Sequence, residues 1–461
     1  MNLRTATGFL LVLVLSAGMV FAQTDSEETE STSTDAESSD LGFGFDLGIG
    51  VQTFEEDGQA ETYQQLSLRP DIAFGKFGIG LNVQLHYRFV PGAEGTQFEI
   101  RERDWVPPEE QRDFRGVMAL YLPKIDYLRW ARKGDPLYAK FGSIDNATLG
   151  NGFIMGGYSN MQFLPDFRIL GLNLDVDGRL FNFPFIGIET AVGNVTTWDV
   201  IGARLFGRPI LSLDIPVIKN LEVGTTYVRD GNPYYHADRD PNYGGTVDES
   251  AAVNIFGVDY QLPLLSSDFF SLAQFGDYVL QNGNSGGMLG IGGRAFGFMP
   301  YGAQLRFLGE NFIPVYFDST YDLYRVDKYD IYSSDVTLTD SYVGYFASLG
   351  FSFLEDRIVF DMGIDGPLGT SAALPRLTGG LTIGEGLLPG FSARASYTKS
   401  EIDEWADFTD FTNSVIDARI NYQTGPAVIS LVYNLRYDPY NPNQDEPWVV
   451  TSGLETSISL F

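Results

Sequence analysis

Ile79-Gly80-Leu81-Asn82-Val83-Gln84-Leu85-His86-Tyr87-Arg88 alternates without a lapse: Ile, Leu, Val, Leu and Tyr at odd positions, Gly, Asn, Gln, His and Arg at even ones. A strand turns successive side chains to opposite faces, so this stretch has an oily face and a wet one. The period recurs along the chain. Leu170, Leu172, Leu174 and Val176 oppose Gly171, Asn173, Asp175 and Asp177; Ile358, Phe360, Met362 and Ile364 oppose Val359, Asp361, Gly363 and Asp365. Ile416, Ala418, Ile420 and Tyr422 oppose Asp417, Arg419, Asn421 and Gln423. About twenty such segments run from 41–53 and 62–74, through 115–123 and 137–144, to 426–437 and 447–460, a pitch suited to tilted membrane strands.

The fold expected is all-β: a transmembrane antiparallel β-barrel of about 16–20 strands, with short periplasmic turns and long extracellular loops. An Arg or Lys on the lipid face costs about 2–4 kcal/mol at mid-membrane, so the charged face should line a lumen. That assigns Asn82, Gln84, His86, Arg88, Asn173, Asp175, Asp177, Gln304, Arg306, Asp361, Asp365, Arg394, Arg419, Asn421 and Arg436 to the pore wall. A soluble sandwich or propeller would also alternate, core inward and solvent outward. Against it, Leu, Phe and Tyr fill the apolar positions of strand after strand, and few strands are apolar on both faces.

The ends fit the same reading. Residues 1–22 have the form of a secretory signal: Arg4, the apolar run Phe9 to Leu15, and Val20-Phe21-Ala22 before Gln23. Residues 23–40 form a Ser/Thr/Asp/Glu tract expected to be a disordered periplasmic tail, with 41–461 as the barrel. No later stretch reaches the roughly 18 apolar residues of a membrane helix. With no cysteine, disulfides and thiolate sites are excluded. Sixty acidic against 30 basic residues, a net charge of −30, argues against nucleic acid as a partner, because phosphate affinity comes from Lys and Arg.

Tight turns near Gly75, Glu355 and Pro426 suit the periplasmic rim, and the long polar stretches 90–114, 145–167, 230–250, 309–341, 400–413 and 438–446 suit the outside. The signal, the alternation over 41–461 and the closing Glu455-Thr456-Ser457-Ile458-Ser459-Leu460-Phe461 together resemble outer-membrane β-barrels of Gram-negative-type cells, the porin group among them. That resemblance implies contact with outer-membrane lipid, insertion by the barrel-assembly machinery through the C-terminal strand, and solute passage; it leaves a homo-oligomer open, trimers being common in the group. One departure stands out. Counting back from Phe461 gives Ser459, Ser457 and Glu455 where apolar residues are expected.

Candidate chemistry is sparse. His86 shares the wet face of its strand, and His236 sits in a loop with Asp238 and Asp240. Neither makes a case for catalysis, and nothing calls for a cofactor. Asp238 and Asp240, and separately Asp318, Asp322, Asp327 and Asp330, offer hard oxygens of the kind Ca²⁺ accepts, neither run with the spacing of an EF-hand. The basic stretch 101–140 is the better candidate. Arg101, Arg103, Arg129 and Arg132, with Asp145 and Asn151 of the Gly-rich segment behind them, could form a constriction. That segment resembles the loop that porins fold inward, and charge set across a pore orders polar solutes. The competing reading pairs these bases with Glu99, Glu102, Glu109 and Glu110 in an exposed loop. The function expected is passive diffusion of small polar solutes or ions; the alternative is a closed adhesive barrel whose loops bind a partner.

Overall fold

A computed structural model of the chain describes residues 41–458 apart from 57–58, 93–94, 108, 110–111, 164–167, 214, 238–243, 355–356, 370–373, 405, 408–411, 425–426 and 438–447. The signal and tail assigned to 1–40, the end at Phe461, and Asp238 and Asp240 lie outside the described residues. No described helix is long and apolar enough to cross a membrane.

The chain forms one 22-stranded sheet. Its first strands are β1 (Leu41–Glu56), β2 (Gln59–Phe74), β3 (Phe77–Leu81), β4 (Val83–Gly92), β5 (Gly95–Ile100), β6 (Ile125–Trp130) and β7 (Leu137–Gly142). Then come β8 (Gly171–Asp177), β9 (Ile186–Val192), β10 (Val200–Gly207), β11 (Glu222–Asp230), β12 (Val253–Ser266), β13 (Ser271–Gln281), β14 (Asn284–Ala295) and β15 (Met299–Leu308). The rest are β16 (Tyr342–Phe353), β17 (Ile358–Pro367), β18 (Arg376–Leu388), β19 (Phe391–Lys399), β20 (Ser414–Thr424), β21 (Ala427–Tyr437) and β22 (Trp448–Ile458). From β6 onward every strand pairs antiparallel with the next, and β1 with β2.

Two wall positions are each made of two strands. β3 and β4 both pair with β2, on either side of Asn82. β5 pairs with β4, and β6 with β3, so 101–124 is an excursion that leaves the wall midway and returns to it. β1 and β22 run side by side with Cα atoms within 8 Å. The two ends of the sheet thus come together, as closing a barrel in lipid requires.

The excursion corrects two expectations. A strand expected at 115–123 is instead the helix α1 (Phe114–Tyr121), started by the Asp113 carboxylate accepting from Gly116 N at 2.8 Å. The stretch 90–114, expected as a long outer loop, contains the tight β4–β5 hairpin and the start of this excursion. Elsewhere connections do alternate. The end that carries 75–76, 296–298 and 389–390 has mostly short turns, and the opposite end carries 143–170, 231–252 and 309–341.

Burial is inverted relative to a soluble protein. On β10, Leu205 is 54% exposed and Arg204 beside it 2%. Tyr227, Phe256, Val258, Tyr278, Leu289 and Phe307 are exposed on the outside, alternating with buried Thr226, Asp259, Gln281 and Arg306. Large apolar groups turned outward over a closed sheet need lipid around them.

Candidate functional site

The interior is built by two loop-end connections that fold into the ring. Residues 144–160 pass down against the inner wall, and 312–332, ending in the helix α2 (Arg325–Ser333), cover them. Phe153, Met155, Tyr316, Phe317 and Tyr321 of these segments pack with the inward Val228, Val253, Ile255, Val279 and Met288 of β11–β14. The segments also join each other, Val315 N donating to Phe153 O and Phe317 N to Ile154 O, both at 3.0 Å. Gly150 turns at φ +56° where a Cβ would come within 2.7 Å of Arg204 Nε, so a side chain there would collide with the wall. Sequence reasoning placed 309–341 outside; its aromatic residues bury themselves in the ring because the inner wall opposite them is apolar.

Ion pairs stitch these segments to the strands. Arg204 lies between Asp259 (2.6 Å), Glu222 (3.1 Å) and Glu189 (3.4 Å), with Gly150 N donating to Glu189 at 3.0 Å. Asn151 Nδ2 donates to Asp277 at 2.9 Å, and Lys140 lies 3.5 Å from Asp145. Arg325 of α2 holds Asp230 of β11 at 2.6 Å and Asp199, just before β10, at 2.7 Å, with Asp322 at 3.6 Å. Tyr321 Oη donates to the same Asp230 at 2.5 Å. On the far side Asp318 meets Lys328 at 3.0 Å and Arg376 of β18. Burial alone would push the Asp318 carboxyl up, yet Lys328 and Arg376 hold it below the usual carboxylate range. Of the aspartates offered to Ca²⁺, Asp318 and Asp322 face cationic side chains, and Asp327 and Asp330 are exposed on α2. Among the described residues no group of three His or carboxylate side chains is arranged to hold a metal.

The excursion 101–124 lies against the polar face of β4. His86 Nδ1 is 2.7 Å from Asp104, whose other oxygen accepts from Arg101 at 2.5 Å, and Lys124 Nζ donates to Asp104 O. Burial works to raise Asp104, but His86 and Arg101 hold it low.

One arc of the inner face, β9 to β16, is therefore covered where the inward segments lie against it. On β19 and β20 the inner positions Arg394, Ser396 and Asp417 are exposed to solvent. Register places Arg394 directly across from Arg419, and Ser396 across from Asp417. Asn434 donates to Asp417 at 2.5 Å, and Asn421 joins Ser392 and Ser430 at 3.1 and 2.8 Å. The inward segments touch this arc at Arg376, Arg436 and Tyr437, and leave Arg394, Ser396 and Asp417 exposed.

The residues singled out from sequence are distributed as follows. Asn82, Gln84, His86 and Arg88 share the polar face of β3–β4, Arg88 bridging Glu61 (2.8 Å) and Glu99 (2.7 Å). Asn173 and Asp177 are buried and Asp175 half-buried on β8, Asp177 paired with Arg179 and Arg208. Gln304 accepts from Arg306, which lies 3.4 Å from Asp365; Asp365 also meets Arg376 at 3.2 Å. Asp361 sits one rung along the wall from Arg394. Arg436 reaches over the Phe163 ring at 5.4 Å.

The six constriction candidates do not gather at one place. Asp145 and Asn151 belong to the inward segment, and Arg129 shares the inner face of β6 with Lys140 across from it. Arg101 is tied to Asp104, Arg103 is exposed in the excursion, and Arg132 is exposed in the 131–136 turn at the other end of the wall. Arg204, Arg325, Asp199, Asp230 and Asp259 were passed over. For Arg204, Asp199, Asp259 and Arg325 an isolated charge flanked by apolar or aromatic neighbours, as in Ala203-Arg204-Leu205, is the signal that could have found them; Asp230, next to Arg229, carries none.

No family model matches the chain, and no curated protein matches it. Among solved structures, Pseudomonas aeruginosa OpdL covers 92% of this chain and 100% of its own at 9% identity, TM-score 0.31. OpdQ from the same organism covers 91% and 97% at 10% identity, TM-score 0.31. The ferric enterobactin receptor of Pseudomonas aeruginosa covers 91% and 74% at 10% identity, TM-score 0.37. At these values the likeness bears on neither solute nor mechanism. The burial pattern stands by itself: with charged side chains on the inner face of a large antiparallel sheet and large apolar side chains outside, the chain has the architecture of a transmembrane β-barrel.

Proposed function

We propose that the barrel is a channel for passive diffusion of small polar solutes or ions, along a path between the inward segments and the arc β17–β21. The observation that carries this reading is the split of the inner face: Arg394, Ser396 and Asp417 exposed on one arc, Val253, Ile255 and Val279 sealed on the other. A barrel serving only to display loops has no need of solvated charges on its inner wall. On this reading Asn82, Gln84, Arg88, Asp361, Arg394, Arg419, Asn421 and Arg436 line the path, and Arg306 and Asp365 mark its boundary with the inward segments. Asn173, Asp177 and Arg204 anchor the covered side.

Residues 1–22 would be removed on export. Protein lacking them, refolded and inserted in a planar bilayer, is expected to give stable single-channel steps. Folded protein, verified by its heat-modifiable mobility, that gives no steps would favour the closed, loop-binding barrel.

A further inference from the structure

We infer that the outer edge of β5 pairs with the β5 of a second copy of this chain, joining two barrels across a two-fold axis at Phe98. Among the described strands β5 alone has a strand neighbour, β4, on one side only. The cause lies at the next wall position. β7 follows β6 as far as Gly142, where the backbone takes φ +124° and the chain leaves the wall for the inward segment 144–160. No strand is left to run beside β5. Arg101 N donates to His86 O at 2.9 Å, which sets the alternation of the ladder. Residues 101, 99 and 97 bond to β4, and the N–H and C=O groups of Thr96, Phe98 and Ile100 point away from it. None of these outward groups has a hydrogen bond among the described residues, and every side chain from Thr96 to Ile100 is exposed.

A row of unpaired backbone groups is a template for another strand, and edges that must stay single carry Lys, Pro or a bulge. β5 carries none of these, and its one charge, Glu99, is already matched by Arg88 at 2.7 Å. The edge is also complementary to itself. With an antiparallel copy set so that Phe98 faces Phe98, Thr96 meets the copy's Ile100, and the two strands exchange about six backbone hydrogen bonds. On the inner face each Gln97 then meets the copy's Glu99, so no like charges oppose each other. On the outer face the two Phe98 rings meet, each with Tyr87 and Phe89 of its own chain at 5.4 and 5.8 Å. That face, with Phe89, Phe98 and Ile100 exposed, continues the apolar outer wall. Its occupant must be at home beside lipid, as a second barrel is and a soluble peptide is not. A two-fold edge is used up by two copies, so the assembly is a dimer and not the trimer common in the group that the sequence resembles.

The test joins mass with cross-linking. The wild type and Phe98→Pro are sedimented in density-matched detergent. Phe98→Cys and Phe89→Cys, each the sole cysteine of its chain, are mildly oxidised in lipid vesicles and in cell envelopes. Direct partners in a hydrogen-bonded pair stand about 5.5 Å apart at Cα, within reach of a disulfide. Proline at 98 removes the outward N–H and spares the ladder to β4. The wild type should sediment at twice the chain mass. Phe98→Pro, folded by its heat-modifiable mobility, should lower the dimer fraction at least tenfold. Phe98→Cys should form a disulfide between copies, and Phe89→Cys, one strand back from the edge, should not. Should Phe98→Pro fail to fold, the two cysteine variants decide the matter. A wild type of one or three chain masses overturns the pairing, as does a dimer whose Phe98→Cys form gives no disulfide. Cross-linking of Phe98→Cys in envelopes to a different protein also overturns it, and assigns the edge to that partner.

Discussion

At Arg204 one guanidinium meets Asp259, Glu222 and Glu189 while Leu205 beside it faces lipid. The arrangement makes removal costly, since losing the arginine strands several carboxylates away from water. Arg204→Ala is expected to lower stability by about 3–5 kcal/mol. Urea unfolding in lipid vesicles would measure it, and adding Asp259→Ala should return part of the loss; equal loss in single and double variants would contradict the pairing. Leu205→Arg is a different experiment on the next residue, placing charge in lipid at a cost of about 2–4 kcal/mol near mid-membrane. Faces were legible at this scale because period two needs only neighbours. Partners were not: Arg204 finds Asp259 across 55 positions, and Arg325 finds Asp199 across 126. No spacing in the chain announces such a meeting.

Among elements, strands such as Ser271–Gln281, Tyr342–Phe353 and Phe391–Lys399 match the segments expected from alternation, whereas 101–130 does not. Phe114, Val117, Met118 and Tyr121 recur at i, i+3, i+4 and i+7, a helical spacing that the apolar run 117–122 disguises as a strand. The inward course of 309–333 was hidden for another reason. Its Tyr and Asp residues read as a solvated loop until the apolar wall of β11–β14 and the arginines at 325 and 376 are brought against them. Arg325→Ala leaves Asp199 and Asp230 buried without their cation, and should loosen this segment. Limited proteolysis within 309–341 should then speed up, and unit conductance should rise; unchanged cleavage would show that apolar packing alone holds it.

Acid should act on the same element through Asp318. Its pKa lies below the ordinary 3.8, so the folded segment resists protonation more than the unfolded chain does. The stabilising contribution is complete above about pH 4 and is lost as pH falls further. Proteolysis with an acid-active protease should therefore become faster below that point in the wild type. Asp318→Asn should cut at one rate across the range.

For the whole molecule, counting strands came close to the architecture: the 22 strands occupy 20 wall positions once β3 with β4, and β5 with β6, are taken together. The inward course of 144–160 was one of the readings its Gly-rich sequence offered, but its cover by 312–332 was not legible, because that depends on two loops meeting one arc of wall. This asymmetry reaches the backbone. Amides paired within the wall are shielded by lipid from outside, so exchange with solvent must come from within. Behind Ile255, Val279 and Met288 no water stands ready, whereas behind Arg394 and Asp417 it does. In deuterated buffer the amides of β18–β21 should exchange while those of β11–β14 stay protonated, dividing one continuous sheet into a fast half and a slow half.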